Sequence, residues 1–235
     1  MSGIGGMDNG FTVRSAKGQE FKGDFTDPDI AKITSACEVG VDGRIFKPTY
    51  ENIMCHALDD WSNSYSIDLV IRNCGLLNQL TLDAPESKVN ANNSVFVGSQ
   101  AVQLDTSSQT HSFSDCIFVG NLAAAGVWGV INPIGDTSYP IQLTNCIGIT
   151  NGTRFSALAS GVSCTNVLTN ATEQLLGAEV DANVASYLLH SPVDNADIAN
   201  TDARIDAANT VLRYKGWNGT NICDWAYVEV YQELA

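Results

Sequence analysis

A chain of 235 residues that is 44% hydrophobic and only 16% charged is long enough to bury a real core and too apolar to remain disordered. Its charges are lopsided: 12 Lys and Arg face 26 Asp and Glu for a formal −14, which repels a polyanion and argues against direct nucleic-acid binding. No uninterrupted apolar run reaches the roughly 18 residues of a membrane span, and the N-terminus lacks a basic stretch leading into an apolar one, so a cytoplasmic start with no membrane association is expected.

Residues 1–30 contain Gly3, Gly5, Gly6, Gly10, Gly18 and Gly23 with little periodicity and read as an N-terminal arm. Residues 31–65 are mixed and read as a cap region, with Asp29–Ile33 and Tyr50–Leu58 expected to form short helices.

From 66 to 170 the chain reads as short strands punctuated by Gly, Asn, Asp and Ser. Five segments share a ten-residue phrase: VIRNCGLLNQ from Val70, NANNSVFVGS from Asn90, SFSDCIFVGN from Ser112, QLTNCIGITN from Gln142 and GVSCTNVLTN from Gly161. Their fourth positions are Asn73, Asn93, Asp115, Asn145 and Cys164, so the steps are 20, 22, 30 and 19 residues, a period of stacked solenoids. Asn or Asp at a corner is chemically sensible because these side chains tolerate left-handed backbone angles. The extended residues after each corner are expected to pair with the strand one rung away, about 4.8 Å distant.

FSDCIFVGN from Phe113 and LTNCIGITN from Leu143 resemble the recurring coil of right-handed parallel β-helices with pectin-lyase-like repeats. The resemblance implies an all-β fold: a short right-handed parallel β-helix with an extended N-terminal arm and a C-terminal closing segment. It also implies an inward column of Cys74, Ser94, Cys116, Cys146 and Thr165, and a second of Leu76, Phe96, Phe118, Gly148 and Val167. The alternate residues Val95, Ile117 and Ile147, with Leu77, Val97, Val119, Ile149 and Leu168, would then point outward, yet all are apolar. A strand apolar on both faces is covered on both faces, either by the chain's own terminal segments or by identical subunits about a threefold axis. Val95, Val97, Ile117, Val119, Ile147 and Ile149 are therefore the candidate interface.

Residues 171–235 form a C-terminal cap or interface segment. Glu173–Leu189 and Asp194–Val211 carry helix-forming stretches, with Asn195 or Asp202 as a cap, and Trp217–Tyr231 is an aromatic closing element.

Reactive constellations are sparse. Glycoside hydrolysis needs two carboxyl groups about 5 to 9.5 Å apart, and if the chain were an enzyme Asp105 and Asp136 would be the pair. Arg72, Lys88 and Arg154 are the only Lys or Arg between 66 and 170, too few to hold a polyuronate. Cys55, His56, Asp59, Asp60 and Trp61 form the densest polar cluster, read as a helix or loop with a solvated acidic end. His111 and His190 stand alone, seven cysteines include no C-x-x-C, and GNLAAAGVWG from Gly120 to Gly129 lacks the end of a phosphate loop, so no metal and no cofactor is expected. Trp128 reads as a loop anchor.

The expectation is a non-enzymatic structural protein of a virus particle, synthesised in a host cytoplasm: a phage capsid decoration (cement) protein or small tail component. Its partners would be further copies of itself, as a homotrimer, and the major capsid or tail protein of the same particle. The alternative is a carbohydrate-binding or carbohydrate-cleaving β-helix of the tailspike kind, with a glycan as partner.

Overall fold

Asn52, Asn73, Asn93, Asp115, Asn145 and Asn166 all hold left-handed backbone angles, with φ between 50° and 59°; the first four turn the chain from one strand into the next, and Asn145 and Asn166 bend it within a continuous strand. In the computed structural model, which describes residues 10–38, 47–60, 66–120, 129–151, 154–172 and 175–205, these corners stack in register.

The strands are β1 (Thr12–Arg14), β2 (Lys32–Glu38), β3 (Thr49–Glu51), β4 (Met54–Asp59), β5 (Asp68–Arg72), β6 (Gly75–Leu82), β7 (Lys88–Asn92), β8 (Val95–Gly98), β9 (Val102–Asp105), β10 (Ser112–Ser114), β11 (Ile117–Gly120), β12 (Ile131–Ile134), β13 (Ile141–Thr150), β14 (Val162–Thr169) and β15 (Ala178–Val180). These fifteen form one curled sheet in which every pairing is parallel. β16 (Leu188–His190) and β17 (Asp202–Ile205) form a separate antiparallel pair. Short 3-10 turns occupy Ala159–Gly161, Val184–Tyr187 and Ile198–Asn200. The chain is all-β and solenoid-like.

Pairing sorts the sheet into three strips. The first runs through β1, β3, β5, β7, β10 and the leading halves of β13 and β14. Past the corners, the second runs through β2, β4, the start of β6, β8, β11, the trailing halves of β13 and β14, and β15. The third joins the ends of β4 and β6 to β9, β12 and the bridge from Ile131 to Ser156.

The strips curl around one apolar interior that includes Leu69, Ile71, Leu76, Leu80, Phe96, Phe113, Phe118 and Phe155. Phe96 and Phe118 stack one rung apart with centroids 5.2 Å from each other, and Phe113 of the first strip meets both edge-on at 5.3 Å. Such contacts add to burial and fix which rungs lie opposite one another.

The sheet reaches from Thr12 to Val180, well beyond 66–170. Where helices are expected near residues 30 and 50, the chain forms β2, β3 and β4. Parallel partners on the neighbouring rung outweigh the weak helical pattern there. Glu173–Leu189 likewise gives β15, one 3-10 turn and β16, and 194–205 gives another 3-10 turn and β17 rather than a helix. Asp202 caps nothing: its carboxylate holds Arg204.

The fifth phrase is also shifted. Leu143 pairs with Cys164 and Cys146 with Val167, so Asn166 is the corner and in this coil the inward columns hold Val167 and Thr169 rather than Thr165 and Val167. Trp61, residues 121–128 with Trp128, and 206–235 with the aromatic closing element lie outside the described residues.

Candidate functional site

The six candidate interface residues sit on the outer side of the second strip, as the alternation predicts, and within the single chain they are 0–2% exposed. The chain's own segments cover them. Phe21, Phe25 and Ile30 pack on the stripe from the N-terminal side of the sequence, and Val184, Tyr187, Leu188, Ala203 and Ile205 from the C-terminal side. A Cβ on Gly75 would lie 2.5 Å from the Phe21 ring, so only glycine there lets the phenyl seat on the strand.

The two covering segments are clasped together. Phe25 N–H donates to the Thr201 carbonyl at 3.0 Å and Ala203 N–H to Gly23 at 2.8 Å. Arg204 reaches Asp24 at 3.2 Å and Asp202 at 2.6 Å. A threefold contact through the stripe would first have to displace this cover.

Asp105 and Asp136 fall in adjacent turns, because β9 and β12 pair Asp105 with Ile134. Each carboxylate is spent on its own turn: Asp105 accepts the Ser107 N–H at 2.8 Å and Asp136 the Ser138 N–H at 2.9 Å. Gly135 lies between them with φ +87°, and a Cβ there would come 2.1 Å from Ser107 Oγ. The Ser138 backbone bond, followed by its side-chain bond, holds Asp136 below the ordinary carboxylate range. That is the wrong direction for a general acid, which needs its proton at neutral pH.

The group pushed the other way is Asp60. It is 2% exposed, and burial raises its pKa against the bonds it accepts from Asp83 N–H at 2.8 Å, Ala84 N–H at 3.2 Å and Ser87 Oγ at 3.4 Å. It fastens the turn of the next rung from inside, so the expected solvated acidic end is a buried anchor. Asp59 pairs with Thr81 and Leu82 with Leu104, which puts Asp60 in an otherwise apolar inward column. Composition around Asp59–Asp60 carries no sign of that placement; only the strand register does.

His111 is fully buried and joins two rungs. Its Nδ1 accepts the Val89 N–H at 3.3 Å and its Nε2 lies 2.6 Å from the Asp105 carbonyl, a pattern that fits only the neutral ring with its proton on Nε2. Burial lowers its pKa. The sequence singles this histidine out as isolated, and nothing in its neighbours announces the rung-to-rung bond.

Cys55 points into the core, whereas the adjacent His56 is half-buried with its Nε2 2.6 Å from Asn78 Nδ2, so the two do not converge on one reacting atom. Cys74, Cys116 and Cys146 bond carbonyls of Arg72, Ser114 and Thr144 at 3.1, 3.1 and 3.2 Å. Burial pushes the Cys74 and Cys164 thiols up to about 12, far from a reactive thiolate. Among the described residues no group of three His, Cys, Asp or Glu could hold a metal ion.

Among the described residues no other segment pairs with the outer side of the first strip. At its N-terminal end Glu51 bridges Arg14 and Arg72, each at 3.1 Å, and Asp68 bridges Lys47 and Lys88, each at 3.5 Å. Beyond them two uncharged columns follow in register, Asn90, Ser112, Gln142 and Ser163 beside Asn92, Ser114, Thr144 and Thr165. The exposed ion pairs are worth little to stability, so this strip differs from the second chiefly in what it presents to solvent.

No family model, no curated protein and no solved structure matches the chain.

Proposed function

We propose that the chain is a non-enzymatic structural protein, a closed right-handed parallel β-helix serving as an assembly component of a virus particle. A phage capsid decoration protein or small tail component is the specific reading. The observation that carries the non-enzymatic part is the use of Asp105, Asp136, Asp60 and His111: each of these four groups is committed to holding a turn or a rung. The acidic balance of −14 supports a role in assembly rather than in binding nucleic acid. Partners are copies of itself and the principal capsid or tail protein of the same particle. The virion assignment rests on resemblance of the coil and on the absence of convergent chemistry among the described residues.

One observation favours a second reading, a carbohydrate-binding or carbohydrate-cleaving β-helix. The uncharged columns from Asn90 and Asn92 to Ser163 and Thr165 offer hydroxyl and amide groups at rung spacing to a flat, uncharged polymer. The test is a mass measurement in reducing buffer with electron microscopy of the assembly, run beside a polysaccharide cleavage assay. The structural reading predicts ordered assemblies and no new reducing ends. A monodisperse monomer that releases reducing ends overturns it.

A further inference from the structure

We propose that the molecule stacks end to end with copies of itself through the second strip, with β15 of one copy laid beside β2 of the next. The proposal deepens the assembly reading and rests on it. Among the described residues both strands have a partner on one side only, β4 for β2 and β14 for β15, so each presents a row of backbone donors and acceptors at an end of the sheet.

The ends also match in register. One inward column runs Ile33, Cys55, Leu76, Phe96, Phe118, Gly148, Thr169, Val180. Cys55 through Phe118 and Thr169 are 0–1% exposed, but Ile33 is only half-buried and Val180 is 49% exposed, with Leu176 beside it at 96%. Stacking would place Ile33 of one copy on Val180 of the other and continue the interior by one more rung.

The neighbouring outward column is apolar along its length, through Met54, Val95, Ile117, Ile147 and Leu168, with Gly75 between the first two. It ends in Lys32 at one extremity and Glu179 at the other, both exposed. Charges on edge strands usually block pairing, because identical edges then repel. Opposite signs on opposite ends do the reverse for head-to-tail contact. They also select it: two β15 edges meeting each other about Val180 would run antiparallel and bring Glu179 of each against Asp181 of the other. A copy advanced along the axis keeps every strand parallel and sets Lys32 against Glu179. Such a heterologous contact does not close on itself. The first strip ends one rung earlier, at the leading half of β14, so the contact is carried by the second strip and the interior column.

Sedimentation velocity of the full-length chain in reducing buffer, over a concentration series, tests this. The expected result is a mass that climbs with concentration without a plateau. K32E and E179K should each weaken association by about tenfold or more, and the K32E/E179K double variant should restore it. Circular dichroism of these surface variants should match the parent. A monomer at every concentration overturns the proposal. So does association indifferent to the swaps, or a double variant that fails to recover. A closed trimer that ignores both swaps would end the stacking proposal and leave the assembly reading standing.

Discussion

Asn145 donates its side-chain N–H to Oδ1 of Asp115 at 3.2 Å, and Asp115 is the one corner that has no amide to pass the bond onward. Elsewhere each asparagine hands a bond to the rung before it: Asn73 to Asn52 at 2.9 Å, Asn93 to Asn73 at 2.7 Å, Asn166 to Asn145 at 2.7 Å. Asp115 instead accepts, from Asn145 and from Asn92 at 3.2 Å. Asp115→Asn replaces the oxygen that accepts from Asn92 with a donor toward Asn93, leaves Asn92 its bond to Ser114 Oγ at 3.0 Å, and keeps a side chain that tolerates φ 55°. We expect it to raise stability by up to about 1 kcal/mol, read as a higher urea midpoint at unchanged slope. Asp115→Ala should lower it by roughly 1–2 kcal/mol, since alanine pays the left-handed backbone cost and bonds nothing. Shifts of the same sign in both variants would refute the ladder as the reason for the residue.

Val119→Asp puts a carboxylate at a position that is 0% exposed under the chain's own cover. The cost of an unpaired buried charge, several kcal/mol, should fall on the single chain. The variant should melt far below the parent at every protein concentration, and added parent protein should not rescue it. If the loss appears only where the parent associates, the stripe is a contact between subunits after all.

The corners were legible because left-handed turns leave a narrow choice of residue, and Asn or Asp recurs at a solenoid period. The last register was not. Aligning the phrase puts Cys164 at the corner, whereas the corner is Asn166 and Cys164 lies opposite Leu143 in the first strip, so the alignment misplaces the coil by two residues. Asn52 is a corner too, but Ile53–Met54–Cys55 after it alternates no better than a helix would. The alternation around Val95 to Ile149 reveals that the outer face is covered. What covers it depends on Phe21, Tyr187 and Ile205, which are distant in sequence and have no periodicity of their own.

Thiol labelling gives a third expectation. With Cys74 and Cys164 raised to about 12 by burial, about one thiol in ten thousand is ionised at pH 8, and access to Cys74 is closed besides. Iodoacetamide should leave Cys55, Cys74, Cys116 and Cys146 unmodified in the native protein over hours and label them within minutes in denaturant. Peptide mass mapping reads both. Rapid native labelling of the Cys74, Cys116 and Cys146 column would mean that the interior opens far more readily than this packing allows.

Acid should loosen the solenoid at His111 first. Its folded pKa lies below the ordinary value because burial disfavours the cation, with the Asp105 carbonyl bond and then the Asp105 charge opposing that shift. The unfolded chain therefore takes up the proton more readily, and stability falls as pH drops through about 6.5, by at most about 1.4 kcal/mol per pH unit for one group. Protonation would also turn Nδ1 into a donor against the Val89 N–H it now accepts. Asp60 acts with the opposite sign: its raised pKa means the folded chain gains a proton first, which favours folding as pH falls through that value toward the ordinary carboxylate range. Because the two effects have opposite signs, the histidine is isolated by comparing urea midpoints of the parent with those of a variant that lacks only the imidazole, between pH 7.5 and 5.5. His111→Gln keeps an acceptor and a donor but cannot titrate, and should flatten the curve over that interval. An unchanged slope in the variant would assign the pH dependence elsewhere, whereas a flattened one fixes it to the bond between the Val89 and Asp105 rungs.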